Sequence, residues 1–385
     1  MPIDPDFWAS RRVLVTGHTG FKGAWLSLWL RSMGASVSGI APGSPTDPSL
    51  YAVASTGSGV SEHAVDVRDA PALIEVFAQE RPEIVLHLAA QPMVRRSLRD
   101  PHGTYEINIM GTVNVLEAVR GCPDVRAVLV VTSDKCYDNS DDVAHDGSFT
   151  EGDAMGGSDP YSSSKGCAEL VSGAYRASYF SGHGGPRLAT ARAGNVIGGG
   201  DWGEDRLIPD MVRAAAVQRP IRIRNPEAVR PWQHVLNPLY GYLTLAQSLW
   251  DSPEFAEAWN FGPDPEDARP VRWIVQRLLT LWGGALEWEH DQDQNPPEAR
   301  NLTLDSSKAA ARLGWRPVWD LEQALERIVH WHQSHRRGDD MRSFSLAQID
   351  EFMQHRLPYR SAVEPTPDPA AWVAHHDSPP EDCLA

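Results

Sequence analysis

Cysteine and positive charge are both scarce in this chain. Its four cysteines, Cys122, Cys136, Cys167 and Cys383, show neither a disulfide framework nor metal-ligand spacing. Reduced thiols and a cytoplasmic location are expected. Lys and Arg number 35 against 51 Asp and Glu, for a net charge of −16. That balance argues against nucleic-acid binding and against an anionic membrane surface. Any anionic ligand must be met by locally gathered basic groups. Apolar runs fall far short of a membrane span, and Met1–Asp6 has neither the basic nor the apolar region of a signal peptide. No internal repeat is visible. His330, His332 and His335 fall on a late helical pattern and read as a solvated face, so no metal site is expected.

What is present is alternation. Short β-branched runs at Arg12–Thr16, Ser36–Ile40, Ile84–Leu88, Ala127–Thr132 and Leu188–Ala193 are separated by helical patterns. Those patterns lie at Ala24–Met33, Ala70–Gln79, Thr104–Arg120 and Tyr161–Phe180. This order predicts an α/β fold, a doubly wound parallel sheet of Rossmann type covered by helices. Beyond Gly194 the chain is richer in Pro and Trp, which predicts a smaller α/β substrate-binding lobe. The expected division is 1–193 for the dinucleotide domain, 194–357 for that lobe (with segments free to return to the first), and 358–385 for a Pro- and Ala-rich mobile tail.

Thr16-Gly17-His18-Thr19-Gly20-Phe21-Lys22-Gly23 follows the first strand and opens the first helix. Glycines there allow a tight turn and bring backbone N–H groups to a pyrophosphate at the helix N-terminus. Asp66-Val67, after the third strand, offers a carboxylate to an adenine amino group. Leu88-Ala89-Ala90 closes the fourth strand with room for cofactor backbone. An acid at the end of the second strand, the usual ribose ligand, is missing: the strand ends Ser38-Gly39-Ile40-Ala41. Together with the charge of Lys22, that absence leaves NAD and NADP both open from the residues alone.

Two polar clusters carry the chemistry. Ser133-Asp134-Lys135 closes the strand at 127–132, and Tyr161 and Lys165 share one helix face four residues apart. An ammonium beside a phenol favours its ionised form, which a group of pKa near 10 needs to act as a base. Asp134 and Lys135 add a second acid/base set, so several proton transfers are expected.

These residues sit in longer stretches: TGHTGFKGAWLSLWL from Thr16, HLAAQPMVR from His87, TSDKCYDN from Thr132 and DPYSSSKGCAEL from Asp159. RAGNVIGGGDW from Arg192, DRLIPD from Asp205, RPWQHV from Arg230, NFGP from Asn260 and LDSSKAAARLGWRP from Leu304 continue the series. Through them the chain resembles the extended short-chain dehydrogenase/reductases, and within these the CDP-glucose 4,6-dehydratase group, from Phe7 to about Met353. The resemblance implies bound NAD and a CDP-glucose substrate. It implies hydride chemistry at C4 through Tyr161, Lys165 and Ser133, and elimination across C5 and C6 through Asp134 as acid and Lys135 as base. Lysine serves as a base only when burial or neighbouring charge lowers its pKa. Related dTDP-glucose dehydratases carry Asp-Glu where this chain has Asp134-Lys135. Arg192, Arg206 and Arg230 are basic groups within these motifs, and because a guanidinium matches phosphate in a bidentate way, Arg230 and then Arg206 are expected on the diphosphate. The resemblance places Asn195 at the phosphate region and Glu298 near the nucleotide. Trp202 and Trp232 are open between a base pocket and the core.

A homodimer through the helices at 104–120 and 161–180 is also implied, and Val113, Leu116, Leu170 and Val171 are compatible with it. Two other readings remain: a sugar-nucleotide 4-epimerase, which has no use for Asp134-Lys135, and a non-catalytic dinucleotide sensor, which has no use for Tyr161 and Lys165.

Overall fold

The computed structural model describes residues 3–139, 147–182, 184–283, 287–291 and 303–355. Seven strands form its central sheet: β1 Arg12–Thr16, β2 Ser36–Ile40, β3 Ser61–His63, β4 Ile84–His87, β5 Ala127–Val131, β6 Arg187–Arg192 and β7 Ala258–Asn260. Every pairing is parallel, and the order across the sheet is β7-β6-β5-β4-β1-β2-β3. The order reverses at the β1/β4 junction, and ligands of such sheets bind in the crevice beyond the strand ends there.

Both sheet faces are buried, so the strands read as apolar runs. Leu14, Val85, Val128 and Leu188 face helices α2 (Ala70–Glu80), α3 (Gly111–Arg120) and α4 (Pro160–Ser178). Val13, Val15, Leu86 and Leu129 face α1 (Phe21–Ser32) and α6 (Leu236–Asp251). The chain after Gly194 therefore gives the sheet both its last strand, β7, and a covering helix, α6. A separate cluster of Ile208, Met211, Ile221, Ile274, Leu278 and Ile328 joins α5 (Leu207–Ala216) and α7 (Leu321–Arg337) to the short parallel pair Ile221–Ile223 and Trp288–His290.

Two elements differ from the sequence expectation. The helix expected over 104–120 is built from Pro101–Tyr105, a π turn at Glu106–Met110, and α3. On α7, His332 is 1 % exposed, packed beside Trp202 and Trp331, and burial pushes its imidazole down to about 3. The face expected to be solvated thus buries one of its three histidines, because the aromatic cluster needs a covering surface.

Candidate active site

The turn from β1 into α1 is closed by contacts only glycine permits. Gly17 has φ of 74°, and a Cβ there would stand 2.9 Å from the backbone of Ala89. A Cβ on Gly23 would come 2.1 Å from the Gly17 carbonyl oxygen. Gly20 heads α1 without a side-chain cap, so the first-turn N–H groups of a twelve-residue helix face the crevice. Thr16 Oγ1 bonds His87 Nδ1 at 2.7 Å and accepts from Ala89 N at 3.1 Å, which fixes the Leu88-Ala89-Ala90 segment against the turn. These residues fit a dinucleotide pyrophosphate. Thr19 spends its hydroxyl on the Gly43 carbonyl at 2.7 Å and ties the turn to the loop after β2. Phe21 packs against the core below.

Asp66 meets Arg68 through both oxygens, at 3.0 and 2.8 Å, and that guanidinium holds its carboxyl below the usual range. Val67 is buried under Gly111. No acid ends β2, and at Gly39, just before its last residue, the His18 ring leaves no space for a side chain. The carboxylate at this corner is Glu62 of β3, which accepts from His18 Nε2 at 3.1 Å and Tyr51 Oη at 2.7 Å. It escapes sequence reading because Ser61-Glu62-His63 has no apolar pattern.

The two polar clusters converge at the ends of β5 and α4. Asp159 caps α4 through the Ser162 N–H, and Pro160 occupies its first turn. Tyr161 lies in that first turn, 7 % exposed, with its backbone N–H donating to Ser97 Oγ. Burial pushes the phenol up to about 12, against a hydrogen bond with Ser133 that eases it down. The expected lowering by Lys165 is not among the influences on this phenol, whose shift is set first by burial. Ser133 in turn donates to Asp134 Oδ1 at 2.8 Å. Asp134 is 2 % exposed, its Oδ2 has no hydrogen-bond partner, and it presses so closely on Gly194 that a Cβ there would overlap it. Lys135 follows in a 3₁₀ turn and is half-buried.

Lys165 donates to the Val131 carbonyl at 3.4 Å, and burial lowers its ammonium to about 8. Lys22 belongs to this cluster rather than to the phosphate turn alone. Burial, then the charges of Lys165 and Arg206, bring it down to about 7, while Asp134 opposes them. Its Nζ lies 6.0 Å from the Tyr242 ring. One helical turn past Lys165, Glu169 accepts from Thr132 at 2.5 Å and from Thr190 and Arg192 at 2.8 Å. This pair was not anticipated, although the i, i+4 spacing from Lys165 places Glu169 on the same helix face.

The substrate candidates separate. Arg206, which precedes α5, pairs with Asp201 at 2.9 Å, and its charge is felt at both Tyr161 and Lys22. Arg230 is 6 % exposed and donates to the Val229 carbonyl at 2.9 Å. Asn195 sits at φ 43° with its carbonyl receiving Gln233 N. Glu298 lies outside the described residues. Arg192 is 3 % exposed and spent on Glu169 and Tyr137, which removes it from the groups available to a phosphate. Trp202 packs among Trp331, His332 and His335, and Trp232 Nε1 donates to the Arg269 carbonyl. Among the described residues no His/Cys/Asp/Glu group has metal-binding geometry.

Comparison with known proteins agrees with this geometry. The CDP-glucose 4,6-dehydratase of Salmonella typhimurium LT2 is 50% identical over 91% of this chain and 98% of its own length. Among solved structures, a UDP-glucose 4-epimerase from Thermotoga maritima with UDP-glucose superposes with a TM-score of 0.73 at 22% identity, covering 84% of this chain and 99% of that one. A dTDP-glucose 4,6-dehydratase from Streptomyces venezuelae with NAD and TYD bound gives 0.71 at 23%, covering 86% and 99%. At those identities the two structures establish the fold. The family model described as "NAD dependent epimerase/dehydratase family" matches residues 13–260, the span that holds the glycine turn, Ser133 to Lys135, Tyr161 and Lys165, and the chain belongs to that family.

Proposed function

We infer that the protein converts CDP-D-glucose to CDP-4-dehydro-6-deoxy-D-glucose and water on bound NAD. The observation that carries this reading is the hydrogen-bonded series Tyr161, Ser133, Asp134, which ends in a carboxylate oxygen without a partner. A 4-epimerase uses the first part of that series and has no task for the second. The choice of CDP rests on the Salmonella relative.

The chemistry that bound NAD supplies is removal of hydride from C4 and its return at C6. Tyr161 takes the proton of the 4-hydroxyl, and the Lys165 ammonium stabilises the phenolate that this role requires. The 4-keto group acidifies C5–H; Lys135 accepts that proton as the C6–O bond breaks, and Asp134 protonates the leaving oxygen so that water departs. Lys135 returns its proton to C5 as hydride arrives at C6. At the end of the cycle Tyr161 has gained one proton and Asp134 has lost one. Ser133 lies between them, hydrogen-bonded to both, and closes the balance by passing the proton from phenol to carboxylate. Mass spectrometry of CDP-glucose incubated with the protein and NAD tests the reading. Loss of one water with no net consumption of NAD supports it, and recovery of CDP-galactose or unchanged substrate overturns it.

A homodimer through α4 and the helical segment ahead of α3 belongs to this proposal. Leu98, Tyr105, Met110 and Leu170 are exposed along these segments, while Leu116 is turned into the core. A Leu170→Glu chain that sediments like the unaltered one would remove this support. No helix of the described residues is long and apolar enough to cross a membrane. A cytoplasmic location is in keeping with the free thiols of Cys122, Cys136 and Cys167, and cell fractionation checks it.

A further inference from the structure

Arg206 and its neighbour Asp205 serve different spaces. The charge of Arg206 reaches the sugar end of the site, at Tyr161 and Lys22. Asp205, held at φ 57°, lines a cleft of about 280 Å³ with Arg95, Asp210, Arg222, Arg224 and Asp291. Arg95 comes from the short helix Val94–Arg99 that follows β4, so the cleft lies between that element and the cluster around α5. Within it Asp205 Oδ1 stands 3.3 Å from Arg224 Nη1 and 3.6 Å from Arg95 Nη1, and Arg224 Nη2 donates to the Asp205 carbonyl at 3.0 Å.

Three guanidinium groups and three carboxylates make a poor sink for a bare anion, because the charges offset one another. They make a good reader for an edge that carries a donor beside acceptors. Cytosine has such an edge: an amino donor at C4, then acceptors at N3 and O2. Carboxylates accept from that amine, and a guanidinium has parallel donors for the two acceptors. Uracil and thymine reverse the first two positions. Their O4 would face a carboxylate and their N3–H a guanidinium, leaving polar groups opposed or unpaired across the base edge.

We propose that this cleft is the base-reading subsite, in which Asp205 accepts from the cytosine 4-amino group and Arg224 donates to N3 and O2. Substrate then runs from the hexose at Tyr161 and Asp134, past Arg206, to the base beside Asp205. Arg95 fixes the Asp205 carboxylate from the opposite side of the cleft. The proposal deepens the CDP-glucose reading and rests on it for the identity of the base.

Calorimetric titration of the NAD-loaded protein with CDP and UDP tests it. CDP is expected to bind about tenfold more tightly than UDP, the scale of one mismatched polar edge. Asp205→Asn, a side chain that tolerates positive φ, brings the two to within about threefold, since an amide presents either a donor or an acceptor. Arg224→Gln weakens CDP by about tenfold or more. An unchanged CDP/UDP ratio in Asp205→Asn, or unchanged CDP affinity in Arg224→Gln, overturns the subsite. If either variant fails to fold, CDP dimethylated at the 4-amino nitrogen decides with the unaltered protein: binding as weak as UDP supports the assignment, and binding equal to CDP overturns it. Failure of the unaltered protein to dehydrate CDP-glucose would count against the reaction, while these titrations would still decide the cleft.

Discussion

Lys165 and Glu169 sit one turn apart on α4, yet the regions around them are built on opposite terms. Burial alone would push the Glu169 carboxyl up, but Arg192 and the hydroxyls of Thr132 and Thr190 hold it below its usual range. Arg192 continues to Tyr137 Oη at 2.6 Å, and Tyr137 to Asn260 Oδ1 at 2.7 Å, so the network joins the ends of β6 and β7. In front of it the pocket leaves its groups short of partners. Asp134 Oδ2 has none, Lys165 has a single long bond, and Tyr161 is held protonated by burial. A buried carboxylate with both oxygens met, as in Glu169, supports structure, whereas a buried group kept short of partners is available to a substrate.

The comparison breaks most visibly at Tyr161. Tyr161→Phe should cut the rate of water loss from CDP-glucose by about 10²–10⁴-fold, the range for a lost general base, while the unfolding midpoint in urea stays in place. A large fall in that midpoint would mean that the pocket also supports the fold. Glu169→Gln should do the reverse. It strands the Arg192 charge at 3 % exposure, for a cost of about 3–5 kcal/mol in urea unfolding. Glu169→Gln combined with Arg192→Met should recover much of that loss, and a single-variant cost below about 1 kcal/mol would erase the distinction between the two regions.

The smallest effect is in pH, and its sign is informative. The folded-state pKa of Lys165 is about 8 against 10.5 for a free lysine, so between these values the unfolded chain binds more protons. Stability contributed at this position therefore rises with pH across that window. Activity moves the other way, because the ammonium beside Tyr161 is lost as pH passes about 8. Lys165→Arg, which keeps its charge, should remove both slopes from kcat/KM and urea profiles. A kcat/KM limb that stays near pH 8 in the variant would reassign the titration, with Lys22, at about 7, the next group to examine.

Much of this is legible in the sequence. Arg12–Thr16 and Ser36–Ile40 form strands over the residues that their apolar runs predict, and the glycine turn opens a helix as its spacing requires. β7 was not legible, because Ala258-Trp259-Asn260 is too short for a pattern and its partner lies at Thr190–Arg192. Lys22 read as a phosphate-side charge because sequence places it beside the glycines. The direction of the first turn of α1, which carries it toward Tyr242 and Asp134, exists only in the fold. Asp205 and Arg224 were silent for a similar reason: nineteen positions apart, they meet only where the chain before α5 passes Ile221–Ile223.

The π turn at Glu106–Met110 gives the segment 101–120 an unusual intolerance of changed length. Ahead of it Thr104 Oγ1 receives Gln91 Nε2; within it Asn108 bonds the Gln91 backbone and Ser164 Oγ; beyond it Thr112 meets His87. Each contact requires its own angular setting, and a helix turns by about 100° per residue. Deleting one residue would swing Thr112 off His87 while Thr104 kept its place, loosening the strand end that holds Thr16 and Ala89 together. The spacing of this helix acts as a ruler for the cofactor crevice.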